Sequence, residues 1–190
     1  MVDELPEAVE RVSAFLRETG AEARIEEFPD GTDTAADAAA AVGCELGQIV
    51  KSMVLVCDDE PVVALVPGDR RCDLEKAAQA VGAKGARTAK RREVEEATGF
   101  PAGGVAPFPL ARVRTVLLER ALLGHPVVWA GAGSPRHVVG LSPAELARLT
   151  RARTVDVVQD DPYHFAGEPR GDSEPDSAGE LRDPDDPKER

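Results

Sequence analysis

Aromatic side chains are scarce in this chain, at 4% of 190 residues, although hydrophobic residues reach 42%. A core built mainly from Val, Leu, Ala and Ile is therefore expected. No apolar run approaches the roughly 18 residues of a membrane span, so no membrane partner is expected. The first residues, Met1-Val2-Asp3-Glu4, are acidic and lack the basic and apolar regions of a secretion signal. A cytoplasmic location is the expectation. Cys44, Cys57 and Cys72 include no close pair, C-x-x-C spacings are absent, and His125 and His137 lie twelve residues apart. These spacings speak against zinc, and the thiols read as reduced and structural. No metal or cofactor is called for. A G-x-S-x-G elbow, a Ser-His-Asp order and a Walker Lys-Ser/Thr pair are missing as well.

Positive charge is in deficit, with a formal net charge of −12. Taken alone, that disfavours nucleic acid as a partner, and DNA is not expected. Position changes the argument. From Asp160 to Arg190, eleven acidic and four basic residues give a net of −7, which leaves −5 for the preceding 159 residues. The bulk of the chain is only mildly acidic, which is compatible with RNA binding through a local patch. The last segment is rich in Asp, Glu, Pro, Gly and Ser. Such a composition cannot bury enough surface to offset its ordering entropy, so residues 160–190 are expected to form a disordered acidic tail after a domain spanning 1–159.

Before the tail, helical and strand patterns alternate. Val9, Val12, Phe15 and Leu16 share one face of a helix over 6–19 that Gly20 stops, and 23–28 alternates like a strand. Thr34 opens an alanine-rich helix running to about Val42. Two β-branched runs, 48–57 and 61–66, are joined by Asp58-Asp59-Glu60 and read as a hairpin. Residues 73–81 and 90–98 look helical, with Gly82 and Gly99 as stops; 113–118, 126–130 and 137–141 read as strands. Ser142-Pro143-Ala144-Glu145 is a capping box with Pro at the first helical position. A final strand over 154–158 closes the domain. The fold class is α+β, with a mixed, largely antiparallel sheet as its core and short helices around it.

Three features could carry chemistry. Lys51 interrupts Ile49-Val50-Lys51-Ser52-Met53-Val54-Leu55-Val56, and alternation places it on the face of Ile49, Met53 and Leu55. A lysine there costs free energy unless it snorkels or is paired. It is either an edge-strand lysine reaching water or a cation at a pocket rim, poised for a phosphate or a carbonyl. The segment Thr98 to Pro109 holds three glycines and three prolines in twelve residues. It is an ordinary connector, or a stiff loop whose backbone N–H groups receive a carbonyl or an oxyanion. Ala130-Gly131-Ala132-Gly133-Ser134-Pro135-Arg136-His137 reads as a glycine-rich turn between strands, with His137 at a strand start. A basic cluster, Lys84, Arg87, Lys90, Arg91 and Arg92, is interleaved with Glu93, Glu95 and Glu96. It reads as a solvated helix face, with RNA phosphate contact as the alternative.

The order of these features resembles the YbaK/EbsC and prolyl-tRNA synthetase-associated editing-domain family. The matching elements are an N-terminal helix, a strand ending near Phe28, the helix after Thr32-Asp33-Thr34, and Ile49-Val50-Lys51-Ser52 entering a strand. Thr98-Gly99-Phe100 then runs into Gly103-Gly104-Val105-Ala106-Pro107, and a glycine turn at 131–134 precedes a strand and the helix begun by Ser142. The resemblance covers about residues 5 to 158, and it implies a barrel-like sheet core. Lys51 aligns with the family's signature lysine, and Gly103 to Pro107 with its G-x-x-x-P loop. The acidic tail has no counterpart in the family.

The resemblance implies hydrolysis in trans of the ester joining a wrong amino acid, small such as Cys, Ala or Ser, to the acceptor end of a tRNA. This is translation quality control without a side-chain nucleophile. Lys51 would hold the backbone of the acceptor end. The loop, through Gly103, Gly104 and Pro107, would place the aminoacyl carbonyl and stabilise its developing charge. Phe28, Thr32, Ser52, Gly131, Ser134 and His137 are the candidate substrate-binding residues of the matched segments. The implied partner is the acceptor end of an aminoacyl-tRNA, with an aminoacyl-tRNA synthetase as a second candidate. Two alternatives remain: a non-catalytic module that binds tRNA or a synthetase, and a hydrolase of another small ester or thioester.

Overall fold

A computed structural model describes residues 5–28, 31, 32 and 34–160. Its centre is a hairpin of β2 (Ile49–Cys57) and β3 (Glu60–Pro67), in register from Val50 opposite Pro67 to Cys57 opposite Glu60. Asp58 and Asp59 make the turn with φ of 46° and 70°. Aspartate tolerates this left-handed region, and two such residues give a turn whose twist suits a tight hairpin. Glu60, expected in the turn, already belongs to β3.

Around the hairpin lie β1 (Ala23–Glu27), β4 (Ala86–Thr88), β5 (Thr115–Glu119), β6 (Val128–Ser134), β7 (His137–Leu141) and β8 (Arg153–Val155). The strand order is β1-β7-β6-β2-β3-β5-β8, with β4 also on β2. Pairs β1–β7, β2–β3, β2–β4 and β6–β7 are antiparallel; β2–β6, β3–β5 and β5–β8 are parallel. The sheet is thus mixed and largely antiparallel, as expected from the sequence.

Alternation assigns each strand residue to one of two faces. Val50, Val54, Val63, Leu65, Val116 and Val139 pack with Val12 and Leu16 of α1 (Glu7–Thr19), Val94 of α4 (Arg91–Thr98) and Leu146 of α5 (Pro143–Thr150). On the other face, Leu55, Val62 and Ala64 pack with Ala77 of α3 (Leu74–Val81). Further along that face, Ile49, Trp129 and Val138 pack with Ala38 and Ala39 of α2 (Ala35–Val42). Aliphatic side chains dominate all three clusters. Each such side chain, fully buried, contributes about 1.5–3 kcal/mol.

The departures from the sequence expectations are local. Residues 131–134 are not a turn but the end of β6, whose pairing with β7 shifts register between Gly131 and Ser134. Gly133, at φ 99°, supplies the left-handed residue this bulge needs. Strand β4 was not foreseen, because three residues carry too little periodicity to register. The last strand ends at Val155, and Val158 instead forms an isolated bridge with Cys72. The expected disordered tail, 160–190, lies outside the described residues except for Asp160.

Candidate active site

The second edge of β2 is shared between two partners. At its start, Ile49 and Val50 pair with Trp129 and Ala130 of β6; at its end, Leu55 to Cys57 pair with β4. Between them, Lys51, Ser52 and Met53 have no strand partner on that edge among the described residues. The glycine-rich loop after α4 closes in here against β6. A side chain on Gly131 would meet the Val105 carbonyl oxygen at 3.2 Å, and one on Gly104 would meet the Gly133 carbonyl oxygen at 3.3 Å. Loop and strand approach this closely because both surfaces lack a Cβ.

The parting strands, the loop and the start of α2 enclose a cavity of about 200 Å³. Of the candidates named from the sequence, Lys51, Gly103, Thr32, Ser52, Gly131, Ser134 and His137 line it. Three others do not. Gly104 is buried behind the loop surface, and its N–H donates to the Pro101 carbonyl at 2.9 Å. Pro107 lines a different cleft, with Phe15, Thr19 and Leu149. Phe28 packs beside α2, and its N–H donates to the Arg136 carbonyl at 2.8 Å. Val105, Thr34, Ala35 and Trp129 also line the cavity. No sequence signal marked Ala35 or Trp129 as a wall residue, because small and apolar residues look the same on a cavity wall as in a core.

Lys51 divides the apolar face of its strand, standing between the cluster under α2 and the cluster under α3. Its Nζ donates to the Arg70 carbonyl oxygen at 2.5 Å. Burial pushes the ammonium below its ordinary range, while Asp69 draws it back up. The lysine is not unpaired. It is a partly buried cation with one hydrogen bond, and it keeps capacity for two more.

Two side-chain polar atoms are buried without a hydrogen bond among the described residues, Ser52 Oγ and His137 Nε2. Both belong to residues that line this cavity. His137 is 3% exposed. Its Nδ1 lies 2.7 Å from Ser134 Oγ, and its Nε2 lies 4.0 Å from Glu27 Oε2. Burial pushes its pKa below the ordinary histidine value, Glu27 opposes that shift, and Arg136 adds to it, so the neutral ring is favoured. Thr32 ties the cavity's entrance together, its N–H and Oγ1 both donating to the Pro135 carbonyl at 2.6 and 2.8 Å. The site therefore offers a cation, a neutral imidazole, a hydroxyl and a loop of backbone amides. Such a set can orient an ester and stabilise charge on its carbonyl oxygen.

A larger groove, of about 710 Å³, contains none of the candidates. Arg87, Glu93 and Glu96 of the basic cluster line it. Arg87 grips Glu93 through two hydrogen bonds of 2.7 and 2.8 Å, and Arg92 pairs with Glu96 at 2.7 Å. Arg87 and the Lys90 N–H hold the Glu93 carboxyl down at a pKa of about 2. Two charge pairs of this face are thus matched.

Comparison with known proteins gives the family. The model of the aminoacyl-tRNA editing domain matches residues 29–149. The uncharacterized protein YwhH of Bacillus subtilis (strain 168) is 33% identical over 138 residues, covering 72% of this chain and 87% of that protein. EbsC of Enterococcus faecalis (strain ATCC 700802 / V583), a proposed Cys-tRNA(Pro)/Cys-tRNA(Cys) deacylase, is 28% identical over 125 residues, covering 65% of this chain and 76% of that one. The crystal structure of a proposed trans-editing enzyme for prolyl tRNA synthetase superposes with a TM-score of 0.78 at 40% identity, covering 83% of this chain and all of that one. The chain belongs to the aminoacyl-tRNA editing domain family, the family of the YbaK/EbsC-type deacylases that its lysine strand and glycine loop resemble.

Proposed function

We propose that this protein hydrolyses mischarged aminoacyl-tRNA in trans, releasing a small amino acid such as Cys, Ala or Ser from the tRNA acceptor end. The observation that carries the reading is the single cavity of about 200 Å³ on which Lys51, Gly103, Ser52 and His137 converge. A space of that size favours a small aminoacyl group, and size is a sieve worth roughly 10- to 200-fold per methylene. Lys51 holds the acceptor-end backbone. The N–H groups at Gly103 and Val105, which carry no hydrogen bond among the described residues, face the carbonyl oxygen as the attacking water adds. No protein nucleophile takes part; a ribose hydroxyl or a side-chain thiol of the substrate assists the water. The names of the similar proteins point to tRNA(Pro) and prolyl-tRNA synthetase as the context, and the cytoplasm is where such a reaction would run.

Single-turnover deacylation with a panel of mischarged tRNAs tests this. Release of Cys, Ala or Ser, with bulkier residues spared, is the expected result. Tight tRNA binding without release would make the protein a binding module instead. Release from small esters or thioesters alone would make it a hydrolase of another class.

A further inference from the structure

Ser134 Oγ stands between two groups at the mouth of the bulge in β6. The Arg136 N–H donates to it at 3.2 Å, and His137 Nδ1 lies 2.7 Å away. A serine hydroxyl has one proton to give. With Arg136 occupying one lone pair of Oγ, that proton finds its acceptor at Nδ1. If Nδ1 carried the proton instead, the serine hydrogen would have no acceptor among the described residues. Glu27 gives an independent second argument. Its Oε2 lies 4.0 Å from Nε2, a separation that favours a proton on that nitrogen and disfavours a bare lone pair there. Both contacts put the single proton of the neutral ring on Nε2. That same Nε2 is one of the two buried side-chain polar atoms with no hydrogen bond among the described residues.

We propose that Ser134 is a positioning residue that locks His137 in the Nε2–H tautomer, making the imidazole a hydrogen-bond donor to an oxygen of the bound aminoacyl ester. A nitrogen that already bears a proton cannot take one from the attacking water, so His137 is not the general base of the reaction. It orients the ester, and the orphaned Nε2–H finds its partner when substrate fills the cavity. Ser52 Oγ, the other orphan, gains a partner in the same event. The activity arm of this inference rests on the deacylase reading; the tautomer does not.

The chain has three histidines, so nitrogen-15 spectra of the full-length protein are assignable with a His137→Gln control. Wild type is expected to show a protonated Nε2 and an unprotonated, hydrogen-bond-accepting Nδ1. Ser134→Ala should lose the hydrogen-bond signature at Nδ1 and mix the tautomers, while Ser134→Thr, which keeps the hydroxyl, should restore both. In single turnover with a mischarged tRNA, Ser134→Ala should slow release roughly tenfold, the scale of one hydrogen bond, with tRNA affinity unchanged and the threonine variant rescued. A proton on Nδ1 in wild type overturns the proposal. So does a normal rate in a folded Ser134→Ala whose tautomers are mixed. If wild type releases no amino acid from any tRNA, the deacylase reading fails, and the nitrogen shifts still decide the tautomer.

Discussion

The small cavity beside β2 and the large groove beside α4 differ in how their polar groups are satisfied. In the groove, Arg87 and Glu93 saturate each other with a two-point contact, and Arg92 is taken up by Glu96. In the cavity, Lys51 keeps donors in reserve, and Ser52 Oγ and His137 Nε2 have no partner among the described residues. A buried polar atom left unpaired costs about 1–3 kcal/mol. A fold that tolerates two of them in one place is holding them for something. The groove has over three times the volume and no comparable tension. Unpaired polarity, more than size, separates a site from a surface.

Substitution on both sides would break this comparison if it is wrong. Lys51→Ala should cut the deacylation rate by about 10²-fold or more, the scale of losing a preorganised charge contact. Its far-ultraviolet dichroism should stay unchanged, because the strand around it is apolar on that face. Arg87→Ala, in the groove, should leave the rate within about twofold, since exposed pairs contribute little. Equal losses from the two variants, measured in single turnover, would erase the distinction.

The two loop glycines sharpen it. Gly103 is exposed at the cavity with φ 95°, whereas Gly104 is buried against β6 with its N–H on Pro101. Gly103→Ala should therefore act on the chemical step, by about 10²–10³ if an amide donor is displaced. Gly104→Ala should act on stability, by about 1–3 kcal/mol, because the new methyl overpacks against Gly133 and Ser134. Thermal melts and single-turnover rates on both variants separate these effects. A stability loss at Gly103 with a normal rate would reduce the loop to a connector.

A smaller effect comes from pH. The pKa of His137 is lowered by burial against the opposing pull of Glu27, with Arg136 adding to the shift. In the unfolded chain the ring titrates at its ordinary value of about 6.5. Below that pH the unfolded state binds a proton that the native state still refuses, so native stability falls as pH drops from 6.5 towards the lowered value. Above 6.5 the group contributes no pH dependence. A His137→Gln variant should flatten the acid limb of the stability profile; a limb of unchanged slope would assign it to another group.

Much of this was legible in the sequence, for reasons that can be named. The hairpin announced itself through long β-branched runs, and the helices through Gly20, Gly82 and Gly99 as stops and Ser142 as a cap. Lys51 stood out because a lysine on an apolar face is physically expensive. What the sequence did not convey is how the strands are shared. That β2 splits its second edge between β6 and β4 is a long-range fact, set by parallel pairing that leaves no local periodicity. The role of residues 131–134 was misread for a related reason. Glycines look like a turn in a sequence, but here they let a strand end run closely under a loop. Pro107, Phe28 and Gly104 enter the candidate set through the family resemblance, and they are not among the residues that line the cavity.

The smallest expected effect concerns the C-terminal acidic segment. Near the end of the described residues, Val157 and Val158 are buried, and the Gln159 N–H donates to the Arg71 carbonyl at 2.9 Å. A chain ending at Gln159 keeps all three. Its thermal midpoint should stay within about 2 °C of the full-length protein, a few tenths of a kcal/mol at this size. Affinity for tRNA should rise, because the segment from Asp160 onward carries a net charge of −7 that repels phosphates. That repulsion acts through solvent, so the gain should shrink as the Debye length falls from about 10 Å at 0.1 M salt to about 3 Å at 1 M. A gain that persisted at high salt would mean the segment obstructs the site rather than repelling its ligand. A large drop in midpoint would show that residues beyond Gln159 help hold the fold.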